Sequence, residues 1–176
     1  YEVREFTMFE RLLTQARVVC IYAGLTILPL PSRLNLLHDV VTSKSLTDPM
    51  TTLFALIAVA MYCFLTIAVA RRSRLASFCL LWPIIHLAVE SSVLPLEMIY
   101  EHRMYLPLFG IALLAGTLLT YWLPRQAHVR RFLVATAIAL SLTLATRVRN
   151  EVWSDPILLW SDVVSKSPLL ARAYLN

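Results

Sequence analysis

The sequence predicts an all-α integral membrane protein with about five transmembrane helices. Hydrophobic residues make up 59% of the 176 residues, charged residues make up only 15%, and the mean hydropathy is +0.68. Soluble domains average about 45–50% apolar and about 25% charged residues, so a soluble core of this length would not bury the apolar excess. The stretch 50–70 contains no charge at all, which is typical of a helix that crosses a bilayer.

Four further apolar stretches are candidates for crossing, because a spanning helix needs roughly 20 mostly apolar residues. The stretch 104–123 is also clear, whereas 16–30 carries Arg17 near its start and ends at Pro29 and Pro31. We therefore predict a polytopic membrane region, residues 1–150, and a distinct tail, residues 151–176. The predicted spans lie near residues 16–30, 50–70, 75–95, 104–123 and 131–147.

The charges in the loops predict the orientation of these helices. Basic residues gather in two loops that two predicted spans separate, namely Arg71, Arg72 and Arg74 in one and Arg125, Arg130 and Arg131 in the other. Cytoplasmic loops carry an excess of Lys and Arg, which places both clusters and the N-terminal stretch in the cytoplasm. The 33–49 loop, the loop near residues 90–103 and the tail are then extracytoplasmic. This orientation accounts for the net charge of +5, and we predict no nucleic-acid partner.

The tail has a different pattern from the membrane region. Trp153 and Trp160 recur at a helical period among acidic residues, and Pro168 interrupts the pattern before a second helix that begins at Leu169. We predict a helical hairpin outside the membrane. Because the chain opens at Tyr1 without a Met or a signal peptide and stops within a helical pattern, we also expect it to be a piece of a longer protein.

The densest group of polar residues lies between the third and fourth predicted spans. Ionisable groups near the bilayer are expensive and usually face a cavity or one another. An Arg matches phosphate oxygens in a bidentate way, so Arg103 is a candidate phosphate ligand, with His102 as a second donor and carboxylates to orient them. The alternative is an interfacial loop in which tyrosines anchor at the headgroups. The candidate substrate-binding residues are Glu90, Glu97, Glu101, His102, Arg103 and Tyr105.

No motif for a metal or a cofactor is present in the sequence. The three cysteines, Cys20, Cys63 and Cys79, each sit in an apolar run and are interpreted as small hydrophobic residues. CxxC, HExxH, GxGxxG and Walker patterns are all missing from the sequence. We predict no cofactor and leave a divalent metal requirement open.

Four sequence segments resemble a known family. The four segments are residues 9–17, residues 28–35, the Glu-His-Arg-Met-Tyr-Leu-Pro stretch at 101–107 and the Ala-Arg-Ala-Tyr-Leu-Asn stretch at 171–176. They are similar to bacterial inner-membrane tetratricopeptide-repeat proteins. Those proteins are similar to the eukaryotic transmembrane and tetratricopeptide-repeat O-mannosyltransferases. The resemblance covers nearly the whole chain, and 101–107 is its most specific part. In the eukaryotic relatives the Arg directly follows the Glu, whereas here His102 lies between them.

The resemblance implies the type-C glycosyltransferase class, with many membrane helices and a polyprenyl-phosphate-linked sugar as donor. The active site would lie at the outer face of the bacterial inner membrane, and tetratricopeptide repeats beginning in the tail would hold a protein acceptor. This class carries its acidic catalytic residue in the first outer loop, which we expect to precede this chain. No catalytic residue is therefore assigned, and the fragment alone is expected to be inactive.

Two alternatives remain open at the level of sequence. An O-antigen-ligase-like enzyme also acts on lipid-linked glycans with Arg and His in an outer loop. A membrane-anchored tetratricopeptide scaffold, for envelope or pilus assembly, would need no catalytic loop at all. Fold-level resemblance does not by itself distinguish these functions.

Overall fold

The computed structural model describes residues 6–92, 96–123 and 128–174, except for the side chains of Glu90 and Arg172. The all-helical fold predicted from the sequence is confirmed, since 74% of the chain is helical and the described residues contain no strand. The helices are α1 (Met8–Ile27), α2 (Thr51–Ala70), α3 (Arg74–Glu90), α4 (Tyr105–Trp122), α5 (His128–Trp153), α6 (Pro156–Lys166) and α7 (Ala171–Tyr174). A 3₁₀ turn, Glu101–Met104, precedes α4.

Within the described residues, three segments are long and apolar enough to cross a membrane: Thr51–Ala70, Glu101–Trp122 and His128–Trp153. Helix α3 is apolar but shorter, and α1 has 20 residues but is too polar in composition. The chain is therefore a membrane protein by composition and helix length, and the predicted count of five spans is not confirmed.

The chain divides into two compact units. The first comprises Tyr1–Thr26 and Val40–Leu114, and the second comprises Ile27–Asp39 and Ala115–Asn176. Each unit contains hydrogen bonds from side chains to backbone carbonyls.

Helix α1 begins eight residues before the predicted span because a capping box starts it. Thr7 Oγ1 accepts a hydrogen bond from the Glu10 amide at 3.2 Å, and Glu10 Oε2 accepts one from the Thr7 amide at 2.8 Å. This reciprocal pair satisfies two amides that a helix start leaves unbonded. The bond from the Thr7 amide also lowers the pKa of Glu10. The helix ends at Ile27, just before Leu28, the residue that precedes Pro29 and is therefore biased away from helix.

Helices α2 and α3 form an antiparallel hairpin in the first unit. They pack along their length, with Tyr62 Oη donating to the Leu80 carbonyl and Ser77 Oγ donating to the Thr66 carbonyl, each at 2.8 Å. Ser73 starts α3 by accepting a hydrogen bond from the Ala76 amide at 3.2 Å. The turn of this hairpin holds the exposed residues Arg71, Arg72 and Arg74.

Helix α4 packs against α3 where both backbones come close. A Cβ on Gly110 would lie 2.7 Å from the Cys79 carbonyl oxygen and 2.8 Å from the Trp82 Cβ, so only glycine fits at this position without a shift. Trp82 Nε1 donates to the Leu106 carbonyl at 2.9 Å. This contact fixes the start of α4, and with it the end of the candidate loop.

The second unit contains a hairpin between the end of α5 and α6. Arg149 and Lys166 both pair with Asp162, at 2.6 and 2.7 Å. Burial alone would raise the pKa of Asp162, but the hydrogen bonds from Lys166 and Arg149 outweigh it and hold the pKa below its ordinary value of 3.8. Asp155 caps α6 by accepting from the Ile157 amide at 2.7 Å, so one helix break falls at 154–155. The predicted interruption at Pro168 is also present, because α6 ends at Lys166 and α7 begins at Ala171.

The same unit includes the residues that follow α1. Lys166 Nζ donates to the carbonyls of Pro31 and Leu34 at 3.0 and 2.8 Å, and Asn35 Nδ2 donates to Ser167 Oγ at 2.9 Å. Helix α5 runs without a break through residue 150, where the sequence suggested a boundary between membrane region and tail. The tetratricopeptide nature of α6 and α7 and their side of the membrane remain predictions.

Candidate functional site

The loop that carries the predicted phosphate ligands is ordered by a short turn at its end. Tyr100 is extended, and the 3₁₀ turn Glu101–Met104 follows it, with the Arg103 amide donating to the Tyr100 carbonyl at 3.2 Å. Met104 is buried together with Ile99 in the core cluster of the first unit. The two apolar anchors hold the polar residues between them at the surface of the unit.

Arg103 is oriented by two contacts. Its Nη1 donates to the Glu97 carbonyl at 2.9 Å, and its guanidinium carbon lies 5.1 Å from the centroid of the Tyr100 ring. A cation over an aromatic ring is attracted by about 0.5–1 kcal/mol at exposed sites and more where water is excluded. The side chain remains partly exposed, so the guanidinium is held in a fixed direction at the surface.

His102 contacts the same aromatic ring. Its ring centroid lies 5.1 Å from that of Tyr100, with 24° between the planes, and its side chain is exposed. The Tyr100 ring thus brings both predicted cationic ligands, His102 and Arg103, into one small cluster. The contacts of Tyr100 with these two side chains were not predicted from the sequence.

The other predicted site residues have different placements. Glu97 contributes its carbonyl to Arg103, and Glu101 is partly buried in the 3₁₀ turn. Tyr105 is 82% exposed at the start of α4, and its amide donates to the His102 carbonyl. The Glu90 side chain lies outside the described residues. The structure therefore gathers the Glu97 carbonyl, His102 and Arg103, and the Tyr105 side chain is exposed.

A polar stripe on α1 holds the loop that carries His102 and Arg103. This stripe was not predicted from the sequence. The stripe consists of Arg11, Gln15 and Tyr22, which are all buried. Arg11 Nε donates to the Ser92 carbonyl at 3.2 Å and its Nη1 donates to the Leu96 carbonyl, while Gln15 Nε2 donates to the Met98 carbonyl at 2.9 Å. Residues separated by four, seven and eleven positions share one face of a helix, so this spacing was visible in the sequence.

Tyr22 completes the stripe with two bonds to a single residue. Its hydroxyl donates to the Tyr100 carbonyl and accepts from the Tyr100 amide, each at 2.9 Å. Only 2% of Tyr22 is exposed, and bonds of this kind are expensive to leave unmade once buried. The aromatic ring beneath Arg103 and His102 is therefore fixed through its own backbone by α1.

The chemistry of the cluster fits an anionic oxygen ligand. A guanidinium has several N–H donors in a planar fork that matches phosphate, and an exposed imidazole supplies another donor. Within residues 6–92, 96–123 and 128–174, no group of three His, Cys, Asp or Glu side chains lies together as a metal ion would require. The cluster is thus a candidate phosphate-binding site built from cationic and aromatic side chains.

Comparison with known proteins gives no relative for this chain, because no family model, curated protein or solved structure matches it.

Proposed function

We propose that this chain is the C-terminal membrane portion of a protein glycosyltransferase that uses a polyprenyl-phosphate-linked sugar. The reaction is sugar transfer to a protein at the outer face of the bacterial inner membrane, as in the O-mannosyltransferases that the sequence resembles. The observation that carries the proposal is the orientation of Arg103 by the Glu97 carbonyl and the Tyr100 ring. Its role is to bind the donor phosphate, with His102 beside it.

Electrostatics favours such a group in this reaction. When a sugar leaves a lipid phosphate, negative charge develops on the phosphate oxygens, and donors already aimed at that charge stabilise the transition state. Arg103 needs little reorganisation because its backbone and ring contacts are in place. Removing one preorganised donor of this kind costs on the order of 10²–10³ in rate in well-studied enzymes.

The surface next to Arg103 suits an isoprenoid chain. Leu106, Leu108 and Phe109 follow within two turns and are exposed at 54%, 39% and 56%. They belong to Glu101–Trp122, one of the three segments that are long and apolar enough to cross a membrane. A lipid whose phosphate is bound at Arg103 therefore has apolar side chains beside its first isoprene units.

The test is sugar transfer by the complete gene product in membranes, measured with a polyprenyl-phosphate sugar and a protein acceptor. We expect Arg103→Ala to lower the rate at least tenfold, and Arg103→Lys to restore only part of it because an ammonium lacks the planar fork. Arg147→Ala is the matched control, since Arg147 is 79% exposed and only weakly paired with Glu151 at 3.9 Å. Its rate should equal that of the wild type.

Two results would count against this proposal in different ways. Wild-type transfer that does not respond to Arg103→Ala would remove Arg103 from the donor site and leave the enzyme class standing. A wild-type protein that transfers no lipid-linked sugar would favour a scaffold instead.

One observation favours the scaffold as a second candidate. Exposed apolar side chains continue along α6 and beyond it, with Ile157 at 78%, Leu158 at 52% and Leu169 at 84%. Helical repeats bury such faces only by stacking on a neighbouring repeat. A scaffold would use this surface and would be indifferent to substitution of Arg103.

A further inference from the structure

Residues at the two ends of the 14–43 segment touch each other. The Ser43 amide donates to Thr14 Oγ1 at 2.8 Å, and Arg17 Nη1 donates to the Val41 carbonyl at 2.7 Å. Both Thr14 and Ser43 are fully buried. The chain therefore leaves α1 and returns to its first half before α2 begins.

This return limits how α1 can be placed in a bilayer. If α1 crossed the membrane, residues 28–43 would have to cross back, and the structure shows no helix between Ile27 and Thr51. Irregular backbone exposed to lipid does not cross the hydrocarbon region, because its polar groups would be unsatisfied. The segment from Thr14 to Ser43 thus begins and ends on one side of the membrane.

The contacts of α1 also identify that side. Thr52, in the first turn of α2, donates to Ser43 Oγ at 2.8 Å, and Ser92 follows the end of α3 and accepts from Arg11. Helix α2 has 20 residues, which corresponds to about 30 Å at 1.5 Å per residue. These contacts therefore lie at the end of the α2–α3 hairpin that is remote from the Arg71–Arg74 turn.

The two faces of α1 differ in character. The face with Arg11, Thr14, Gln15 and Tyr22 is buried against the loops. The opposite face is exposed and apolar, and at helical spacing it presents Phe9, Leu12, Cys20, Ala23 and Ile27. In a membrane protein, an amphipathic helix whose apolar face is not covered by protein can lie in the plane of the interface, with that face against the acyl chains.

We propose that α1 does not cross the membrane but lies in the interface opposite the Arg71–Arg74 turn. Its apolar face contacts the lipid of that leaflet, and its polar face holds the 41–43 segment, Ser92 and residues 96–100. Lipid covers the apolar face of α1 because α2, in the same unit, exposes similar apolar residues, Phe54, Ile57 and Met61. Helix α2 is long and apolar enough to span the membrane, so lipid surrounds this unit. The proposal holds whether or not the chain belongs to a glycosyltransferase, and it replaces the predicted cytoplasmic start of the chain.

The experiment is labelling of single cysteines with a membrane-impermeant maleimide in sealed vesicles of both orientations. The background variant carries Cys20→Ser, Cys63→Ser and Cys79→Ala, and its fold is checked by elution of the detergent-solubilised protein. Met8→Cys and Ser32→Cys probe the start of α1 and the segment just after its end, with Leu46→Cys and Arg72→Cys as references for the two sides. All four positions are exposed.

We expect Met8→Cys and Ser32→Cys to label from the Leu46 side at least tenfold faster than from the Arg72 side. Labelling of these two positions from opposite sides would overturn the proposal, and so would labelling of Met8→Cys only after detergent is added.

The depth of α1 in the bilayer gives a second readout, which does not depend on labelling at the ends of the helix. Cys20, kept as the single cysteine, carries a fluorophore, and lipid-attached quenchers at the headgroup and deep in the acyl chains are compared. An interfacial α1 gives stronger quenching by the headgroup probe. Stronger quenching by the deep probe would mean that the middle of α1 lies near the centre of the bilayer, and the proposal would be wrong.

Discussion

Tyr100 connects the predicted ligands to the rest of the fold. Its ring contacts His102 and Arg103, while its amide and carbonyl both bond to the Tyr22 hydroxyl. A single buried hydroxyl therefore holds the residue whose ring contacts both side chains. This arrangement makes Tyr22 a positioning residue for the candidate site.

Tyr22→Phe tests this role. The substitution keeps the ring in the core cluster but leaves the Tyr100 amide and carbonyl without their partner, which costs about 1–3 kcal/mol. We expect the amide of Tyr100 to exchange with solvent on the order of tenfold faster, as followed by hydrogen–deuterium exchange of the loop. Tyr121→Phe is the control, since Tyr121 is 86% exposed on α4. Unchanged exchange at Tyr100 in Tyr22→Phe would show that α1 does not hold the loop.

At the scale of elements, the contact between α3 and α4 sets where the loop ends. Gly110 allows the two backbones to approach, and the Trp82–Leu106 hydrogen bond lies one turn away on α4. The start of α4 then follows directly from Arg103 and Met104. A change in this contact should therefore alter both stability and the position of the site.

Gly110→Ala is expected to destabilise the protein. Its Cβ would meet the Cys79 carbonyl and the Trp82 Cβ at less than 3.0 Å, and overpacking of this kind costs about 1–3 kcal/mol. Gly116→Ala is a matched control on the same helix, because nothing lies within 4 Å of the added Cβ. Thermal denaturation in detergent should show a lower Tm for Gly110→Ala only. Equal Tm values for the two variants would mean that α3 and α4 do not pack closely.

The α5–α6 hairpin is predicted to depend on pH through Asp162. Because the folded pKa lies below 3.8, the stabilisation is complete above that value and is lost as the pH falls through the folded pKa. Protection of α6 amides, corrected for intrinsic exchange, should be constant down to about pH 5 and should then decrease. In Asp162→Asn the protection of the α6 amides should be lower than in the wild type at neutral pH. This difference should shrink as the pH falls.

Glu151→Gln provides the comparison for this hairpin. The Arg147–Glu151 pair is 79% and 70% exposed, and exposed pairs contribute about 0–1 kcal/mol. We expect no measurable change in α6 protection for this variant. A change as large as that of Asp162→Asn would assign the stability to general surface charge rather than to the buried pairs.

The lengths of the apolar runs in the sequence predicted the bounds of some helices closely and those of others poorly. The predicted spans 50–70 and 104–123 correspond to α2, Thr51–Ala70, and α4, Tyr105–Trp122, since neither helix contains a charge. The span at 16–30 missed the first turns of α1, because a search for apolar runs discounts Glu10 and Arg11. The Thr7–Glu10 capping box was the signal that would have placed this helix start.

The residues of the candidate site could be proposed from the sequence, but the contacts that position them could not. Arg and His next to one another at the edge of an apolar run led to the hypothesis of an anion ligand from residue type alone, and this assignment stays a prediction. The partner of Tyr100 is 78 positions away in the chain, and no local pattern specifies which tyrosine bonds to which carbonyl. Tertiary contacts of this kind require the fold.

At the scale of the whole molecule, an interfacial α1 changes the number of crossings. If α2 spans, α3 returns, because the two pack antiparallel with Arg71–Arg74 in the turn. Helices α4 and α5 are both long and apolar enough to cross. With α1 in the interface, the four crossing helices are α2, α3, α4 and α5. An even number of crossings places the tail on the same side of the membrane as α1.

The side of the tail is therefore a test of the whole topology. In the cysteine-free background, Leu169→Cys, which is 84% exposed, should label in sealed vesicles from the same side as Met8→Cys. Five crossings would put these two positions on opposite sides, so the result separates the two topologies without reference to activity. Lys166 and Ser167 bond to residues 31–37, which follow α1 directly, and an interfacial α1 requires that segment to lie on the Leu46 side. Labelling of Leu169→Cys from the Arg72 side would contradict these contacts as well as the crossing number.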